Sequence, residues 1–296
     1  MMNEPATPAA LPASTYAAIV LYFRRGADFR KTIDDLLSQD LAAEEILVVD
    51  NCSNDMVVET LNFASPAIST HFLQENLGYA GGMNAGYSLL SGATDYVLFM
   101  THEVRLESSS IRALVEYADT HDCSIAGPQL LLADTQEIWS SGGAFRRTGM
   151  TTHRTRSVPE SLQGLAVDWL DGSVLLVRRS VFEQIGKFDE SFFLYWEDVD
   201  ICTRAASHGE VSVVRLAHAT QDTGMSPPYY EARNAVLYWK KNRNYGKVFT
   251  VAFAQLLKVA RRCVRRQRLD LTSKARILGV YDGLAGKLNI QRGSMR

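Results

Sequence analysis

The sequence predicts an α/β fold, a parallel sheet covered by helices, followed by a helical C-terminal extension. Three observations lead there. Short apolar, β-branched runs alternate with segments of helical periodicity from Tyr16 onward. Polar and acidic residues gather where those runs end. After Pro227–Pro228 the strand-like runs stop and long helical patterns take over.

Residues 16–23 (YAAIVLYF) have the length and composition of a buried strand, closed by Arg24 to Gly26. Phe29, Ile33, Leu36 and Leu37 then recur at helical spacing through 29–39. Residues 45–50 (EILVVD) form a second buried run, ended by the polar NCSND. This β–α–β order suits parallel strands with helices on their faces. A third strand is expected over 67–72. A Gly-rich turn over 76–86 is expected to lead into a helix at about 83–90. Residues 95–100 (DYVLFM) make a further strand, ending in Thr101–His102–Glu103. A helix over 109–121 presents Ile111, Leu114, Val115 and Ala118 on one face, and 124–132 is a strand or loop. The polar, basic, Gly-containing stretch 140–160 reads as a long excursion, a hairpin or a mobile loop over a site. A strand at 174–178, a short helix at 180–185 ended by Gly186, and a helix at 197–207 stopped by Gly209 follow. The strand at 211–216 leaves His218 just past its end. Helices are expected over 229–242, 248–266 and 271–288, the last weakened by Gly279, Gly283 and Gly286.

A chain of 296 residues with 46% hydrophobic content can bury a sizeable core. Its formal net charge of -2 gives no global pull on nucleic acid, so no nucleic-acid partner is expected. The charge is uneven, since 261–268 reads RRCVRRQR. Cys52, Cys123, Cys202 and Cys263 form no CxxC pair, which fits a reducing compartment. The lead over 1–15 is expected to be disordered and not a signal peptide. No run reaches the roughly 18 to 20 apolar residues of a membrane span. A cytoplasmic location is therefore expected, with peripheral contact on the cytoplasmic face of the membrane as an option.

In an open α/β sheet, ligands bind beyond the carboxyl ends of the strands. Asp50, Glu103, Asp171 and His218 fall at such ends. A diphosphate needs its charge neutralised, and hard oxygen ligands around Mg²⁺ or Mn²⁺ do this. Imidazole is acceptable to Mn²⁺, so Glu103 and His218 are candidate ligands of one metal. The alternative is a solvated acid and a surface histidine. Glu197, Asp198 and Asp200 form a second cluster, in FFLYWEDVD. Acids at a helix start cap its dipole, which is the bland explanation. A carboxylate beside an aromatic wall also suits a general base acting on a hydroxyl. Gly81–Gly82 permits close backbone approach to a ligand, but GxGxxG and the P-loop are both absent. That counts against dinucleotide dehydrogenases and P-loop kinases.

Four segments carry a resemblance: 46–55 (ILVVDNCSND), 76–87 (NLGYAGGMNAGY), the stretch 167–209 around VDWLDGS and FFLYWEDVD, and 232–242 (ARNAVLYWKKN). In this order and spacing they resemble family 2 glycosyltransferases, in the rhamnosyltransferase-like and galactofuranosyltransferase-like branch. The resemblance runs from about Tyr16 to Asn242. It implies a GT-A fold, with a mixed, mostly parallel central sheet flanked by helices. The catalytic domain would span 16–228, as a nucleotide-binding half (16–132) and an acceptor-side half (133–228), before a helical region (229–296).

The resemblance also implies roles. Leu21 and Phe23 would line base and ribose, although Phe23 stands where relatives commonly have Asn. Asp50 would meet the uracil or thymine ring, and Gly81, Gly82 and Asn84 the donor pocket. The metal motif falls at Thr101–His102–Glu103, where relatives end in Asp. Its His102 counts with the donor site, and His218 would close the metal site. Asp198 would be the general base, Glu197 would orient it or the acceptor hydroxyl, Trp169 would stack on a sugar, and Asp171 would bind sugar hydroxyls. The implied activity is inverting transfer from a dTDP- or UDP-sugar, a deoxyhexose such as rhamnose, to a cell-surface glycan or lipid-linked acceptor. Two rivals stand beside it: a sugar-nucleotide nucleotidyltransferase, and a decayed glycan-binding scaffold. The apolar face of 248–260 and the basic run after it fit either an anionic membrane surface or a homodimer through the C-terminal helices.

Overall fold

The computed structural model describes residues 14–24, 26, 28–61, 65–222 and 227–288. Of the lead expected over 1–15, all but Ser14 and Thr15 lies outside the described residues. The chain runs β1 (Tyr16–Tyr22), α1 (Phe29–Leu37), β2 (Glu45–Asp50), α2 (Val57–Leu61), β3 (Ile68–Phe72), α3 (Gly78–Tyr87), β4 (Tyr96–Thr101), β5 (Arg105–Leu106) and α4 (Ser110–Thr120). It continues with β6 (Cys123–Leu132), β7 (Ile138–Ser140), β8 (Gly143–Phe145), β9 (Thr151–His153), β10 (Gly164–Ala166), β11 (Val174–Arg178), α5 (Arg179–Gln184), α6 (Glu197–Ala205) and β12 (Glu210–Gln221). Helices α7 (Pro228–Lys241), α8 (Tyr245–Arg266) and α9 (Leu271–Ala285) complete it.

The main sheet has the order β10-β12-β6-β11-β4-β1-β2-β3, with β5 on β12 and β7 on β6. Strands β3, β2, β1 and β4 are mutually parallel, and β12 is parallel to β6. Strand β11 is antiparallel to both β4 and β6, which makes the sheet mixed. The expected fold class is the observed one. Side chains of β1 alternate between two apolar layers. Ile19 and Leu21 join Val49, Phe99 and Phe182 on one face; Ala18 and Val20 join Val48, Leu98 and Ile33 on the other. The even apolar run of 16–23 is thus a strand buried on both faces.

Two expectations need correction. The Gly-rich segment over 76–86 is not a turn leading into a helix; it is the helix α3 itself. Glycine is a poor helix former, so propensity pointed the wrong way. A Cβ on Gly82 would lie 2.5 Å from Leu21 Cδ1, and one on Gly86 2.8 Å from Ile19 Cγ2. Missing side chains let α3 sit directly on β1, and this packing overrides propensity. Secondly, β12 runs on to Gln221 and does not stop at Leu216. Its register on β6 slips between Val214 and His218, so a bulge absorbs the polar interruption. Of the two readings of 140–160, the hairpin is the observed one: β8 pairs with β9, anchored by fully buried Ser141 and by Val158 packed in the core.

Candidate active site

The strand ends set the stage. Asp50 pairs with Tyr22 across β2–β1, Leu21 with Thr101 across β1–β4, and the Thr101 N–H donates to the Ser173 carbonyl at 3.0 Å. Asp50, Leu21, Thr101 and the Asp171–Ser173 turn therefore stand abreast across adjacent strand ends. At one end of this row lies a cavity of about 420 Å³, lined by Tyr79, Thr101, Glu103, Asp171, Glu197 and Asp198 among others.

The segment that delivers Glu197 and Asp198 is strained. Tyr195 (φ +68°) and Trp196 (φ +74°) are consecutive left-handed residues immediately before α6. For bulky side chains such a conformation costs about 1–3 kcal/mol each and persists only when the surroundings impose it. Here Asn234 of α7 imposes it, donating from Nδ2 to the Leu194 carbonyl at 2.8 Å and the Tyr195 carbonyl at 2.7 Å. Buried Arg233 donates to the Ser191 carbonyl. The turn aims the first two residues of α6 into the cavity.

Asp198 accepts from the N–H of Val199 at 2.8 Å and of Gly172 at 3.2 Å. Burial and the neighbouring Asp171 push its carboxyl up to about 7, against the opposing pull of those two N–H groups. Glu197 is raised well above the ordinary range, by burial first and by Asp198 second. Burial thus raises both adjacent acids above the ordinary carboxylate range. Asp171 is turned to Ser173, accepting from its N–H at 3.0 Å and its hydroxyl at 2.6 Å. Tyr79, whose hydroxyl donates to the Gly172 carbonyl at 2.6 Å, is raised by burial and by the surrounding acids.

Buried polar groups in folded proteins nearly always have partners. Among the described residues four buried side-chain polar atoms without a hydrogen-bond partner belong to residues lining this cavity: Thr101 Oγ1, Trp139 Nε1, Trp169 Nε1 and Glu197 Oε2. Unmet donors and acceptors concentrated around one cavity mark a place made for a polar ligand.

The sequence-predicted residues divide. Glu197, Asp198, Asp171, Trp169 and Glu103 converge on the cavity. Trp169 is wedged against Gly143, where an added Cβ would meet its ring at 2.0 Å, and its ring meets His153 edge-on. His218 is not among the cavity-lining residues. The extension of β12 places it within the strand, with Nδ1 3.3 Å from a Glu107 carboxylate oxygen and Nε2 3.2 Å from the Gln129 amide. The structure thus does not bring Glu103 and His218 together. Gln221, at the true end of β12, lines the cavity instead. Asp50 gives both oxygens to Ser53, at 2.7 Å from its N–H and 2.5 Å from its hydroxyl. Asn84 is committed to the turn at 188–190, and with Gly81 it lines a separate depression of about 740 Å³ outside α3. Gly82 packs on Leu21, Phe23 lies beneath Arg24, and His102 Nδ1 lies 3.1 Å from the Leu21 carbonyl. His102 Nε2 is 3.4 Å from Glu103.

Sequence reasoning missed Tyr79, Trp139, His153 and Glu231, all of which line the cavity. His153 lies between Trp139 and Trp169, and burial holds its imidazole below its usual range despite Asp171. Only Tyr79 had a signal, its place in the Gly-rich motif.

Among the described residues no three His, Cys, Asp or Glu side chains form a metal-binding group. The end of β4 still suits a hard cation in one respect. Glu103 offers a carboxylate beside the unpartnered Thr101 hydroxyl, and Mg²⁺ sites often combine one or two carboxylates with substrate phosphates.

A mixed α/β sheet with a buried acid pair at its strand ends defines the broad class. The chain belongs to Glycosyl transferase family 2, whose family model matches residues 17–186. Among curated relatives it is 30% identical to the low-salt glycan biosynthesis hexosyltransferase Agl10 of Haloferax volcanii, over 63% of this chain and 62% of that protein. It is 25% identical to the dTDP-rhamnosyl transferase RfbF of Shigella flexneri, over 93% and 96%. It is 30% identical to the N-acetylglucosaminyl-diphospho-decaprenol L-rhamnosyltransferase of Mycobacterium tuberculosis, over 65% and 73%. Of solved structures, GalNAc-T7 with UDP, GalNAc and Mn²⁺ superposes with a TM-score of 0.65 at 12% identity, covering 79% of this chain and 50% of that one. S. aureus TarS 1–349 superposes with a TM-score of 0.58 at 15% identity, covering 92% and 87%. These likenesses confirm the GT-A fold.

Proposed function

We propose that this protein transfers a sugar from a nucleoside-diphosphate donor to a hydroxyl of a glycan or lipid-linked acceptor, with inversion and with Asp198 as general base. One observation carries the proposal. Asp198, raised to about 7, faces a cavity whose lining holds four unpartnered polar atoms. A base with a pKa near neutrality is matched to abstracting a hydroxyl proton.

In the proposed reaction the acceptor O–H gives its proton to the Asp198 carboxylate. The oxygen forms a bond to the anomeric carbon from the face opposite the diphosphate. The bond between that carbon and the phosphate oxygen breaks, and its electron pair leaves with the nucleoside diphosphate. Glu197 orients the acceptor hydroxyl or the base. Asp171 accepts from sugar hydroxyls, and Trp169 offers an apolar wall. The donor lies along the row of strand ends from Asp50 through Leu21 to Thr101, within the half spanning 16–132; the acceptor enters from the half spanning 133–228. A Mg²⁺ or Mn²⁺ ion held by Glu103 would neutralise charge on the leaving diphosphate.

The names of the relatives support a dTDP-deoxyhexose donor, rhamnose foremost. Work at a cytoplasmic membrane face is supported by α8. Phe249 and Phe253 are 72% and 60% exposed, and the helix carries six Lys and Arg and no acid. Among the described residues no helix is long and apolar enough to cross a membrane, so such contact would be peripheral.

Saturation-transfer NMR against a panel of dTDP- and UDP-sugars, with and without Mn²⁺ or Mg²⁺, tests the proposal. One donor should give a signal that the metal strengthens. Silence from every donor would refute the transferase assignment.

A further inference from the structure

A second cavity, of about 370 Å³, lies between α8 and α9 and is lined by Lys258, Arg261, Arg262, Arg265, Thr272 and Arg276. Five of these six residues are cations and none is an acid. The cations are not equivalent. Arg262 is paired with Asp270 at 2.7 Å. Arg276 and Lys258 both reach Glu231, each at 2.8 Å. Arg261 and Arg265, one helical turn apart, make no ion pair among the described residues. Mutual repulsion of cations around one cavity is unfavourable unless an anion sits there. Guanidinium pairs match phosphoryl oxygens in geometry as well as charge.

Glu231 fixes where this cavity lies. It sits in the first turn of α7 and also lines the acid cavity that holds Asp198. Burial alone would raise its carboxyl, but Arg276 and Lys258 prevail and hold it down at about 2. A single side chain thus lines the acid cavity and pairs with two of the cations that line the basic one. The lining of the basic cavity comes wholly from α8 and α9 and includes none of the strand ends along which the donor is placed, so it is offered to the other substrate.

We infer that the α8–α9 cavity is a phosphate-binding site for the acceptor, and that the acceptor is a sugar carried on a phosphate or diphosphate ester. This rests on the transferase proposal for its second half only; the anion site stands on its own residues. The acceptor's hydroxyl would face Asp198 while its phosphate lies across Glu231 on Arg261 and Arg265.

The test uses the full chain and inorganic pyrophosphate as probe, with dTDP or UDP at saturation to occupy the donor site. Calorimetry should show one pyrophosphate bound to the wild-type protein, weakened at least about tenfold in R261A/R265A. That variant leaves the pairs of Arg262, Arg276 and Lys258 in place, and a circular-dichroism melt verifies its fold. Equal affinity in both proteins would overturn the site. So would a variant that keeps its pyrophosphate affinity but loses binding to phosphatidylglycerol vesicles, because the two arginines would then serve a membrane surface. In turnover assays pyrophosphate should inhibit competitively against acceptor, and the double variant should escape that inhibition. Inhibition competitive with donor alone would overturn the acceptor assignment. A chain that binds pyrophosphate as expected but turns over no donor would refute the transferase proposal and leave the anion site standing.

Discussion

Asp198 concentrates the chemistry at the residue scale. Its carboxyl sits near 7 in the folded chain against an ordinary value of 3.8. For an acid raised in this way, the ionised form is disfavoured by folding. Well below pH 3.8 both folded and unfolded chains are protonated and no penalty exists. As pH rises toward 7 the unfolded chain ionises first, so stability is lost through that window. Asp198→Asn should therefore stabilise the fold at pH 8, on the order of 4 kcal/mol at most, and leave it unchanged well below pH 3.8. Urea unfolding at the two pH values measures this. The same variant should lose about 10²–10⁴-fold in kcat, and the wild-type rate should rise with pH through an apparent pKa near 7. Retention of full turnover by Asp198→Asn would remove it as the base. Glu103 carries a separate expectation. EDTA should abolish most transfer, added Mn²⁺ or Mg²⁺ should restore it, and Glu103→Gln should raise the metal concentration needed by about tenfold. The acid pair was legible in the sequence because adjacent acids after an aromatic run are a local signal. Trp139 and His153 were not, since they reach the cavity from β7 and β9 and carry no motif of their own.

At the scale of elements, the turn before α6 is held from outside. Asn234 takes two carbonyls at Leu194 and Tyr195, and Arg233 takes one at Ser191. Asn234→Ala should cost about 2 kcal/mol of stability through the lost hydrogen bonds. It should also lower kcat at least tenfold with little change in donor KM, because the left-handed pair would relax and turn Asp198 away. A lower Tm with unchanged kcat and pH profile would show that Asn234 only supports the fold. Most elements were readable from periodicity, and β2 was placed to the residue. The misses share a cause. In α3 the glycines weaken the local helical signal but allow close contact with β1, and in β12 a bulge hides the continuation of the strand past His218. Both are decided by what lies opposite in space, which a window of sequence does not contain.

At the scale of the whole molecule, one sheet carries both halves of the expected site, and three C-terminal helices close one side of it. The exposed Phe249 and Phe253 rings, stacked 6.5 Å apart, stand on the outer face of α8. Phe249→Ser with Phe253→Ser should weaken cosedimentation with anionic vesicles about tenfold and leave the melting temperature unchanged. Equal sedimentation of both proteins would exclude that face as the contact. The mixed sheet and its helical flanks were readable from the order of elements and the motif spacing. The convergence of Glu231, Lys258 and Arg276 was not, because ion pairs between helices leave no periodic trace.

The grip of α7 on the turn before α6 bears on how such chains can be recombined. Helix α9 lies so close to α7 that a Cβ on Gly279 would come within 2.4 Å of the Tyr229 carbonyl, and one on Gly283 within 2.6 Å of the Arg233 carbonyl. A chimera cut at Pro227–Pro228, the seam that composition suggests, would separate Asn234 from the two carbonyls it holds. The smallest cassette that could be exchanged between homologues without cutting these contacts runs from Ser191 through Ala285, and a splice between Tyr195 and Arg233 would pair the turn that carries Asp198 with a foreign clamp.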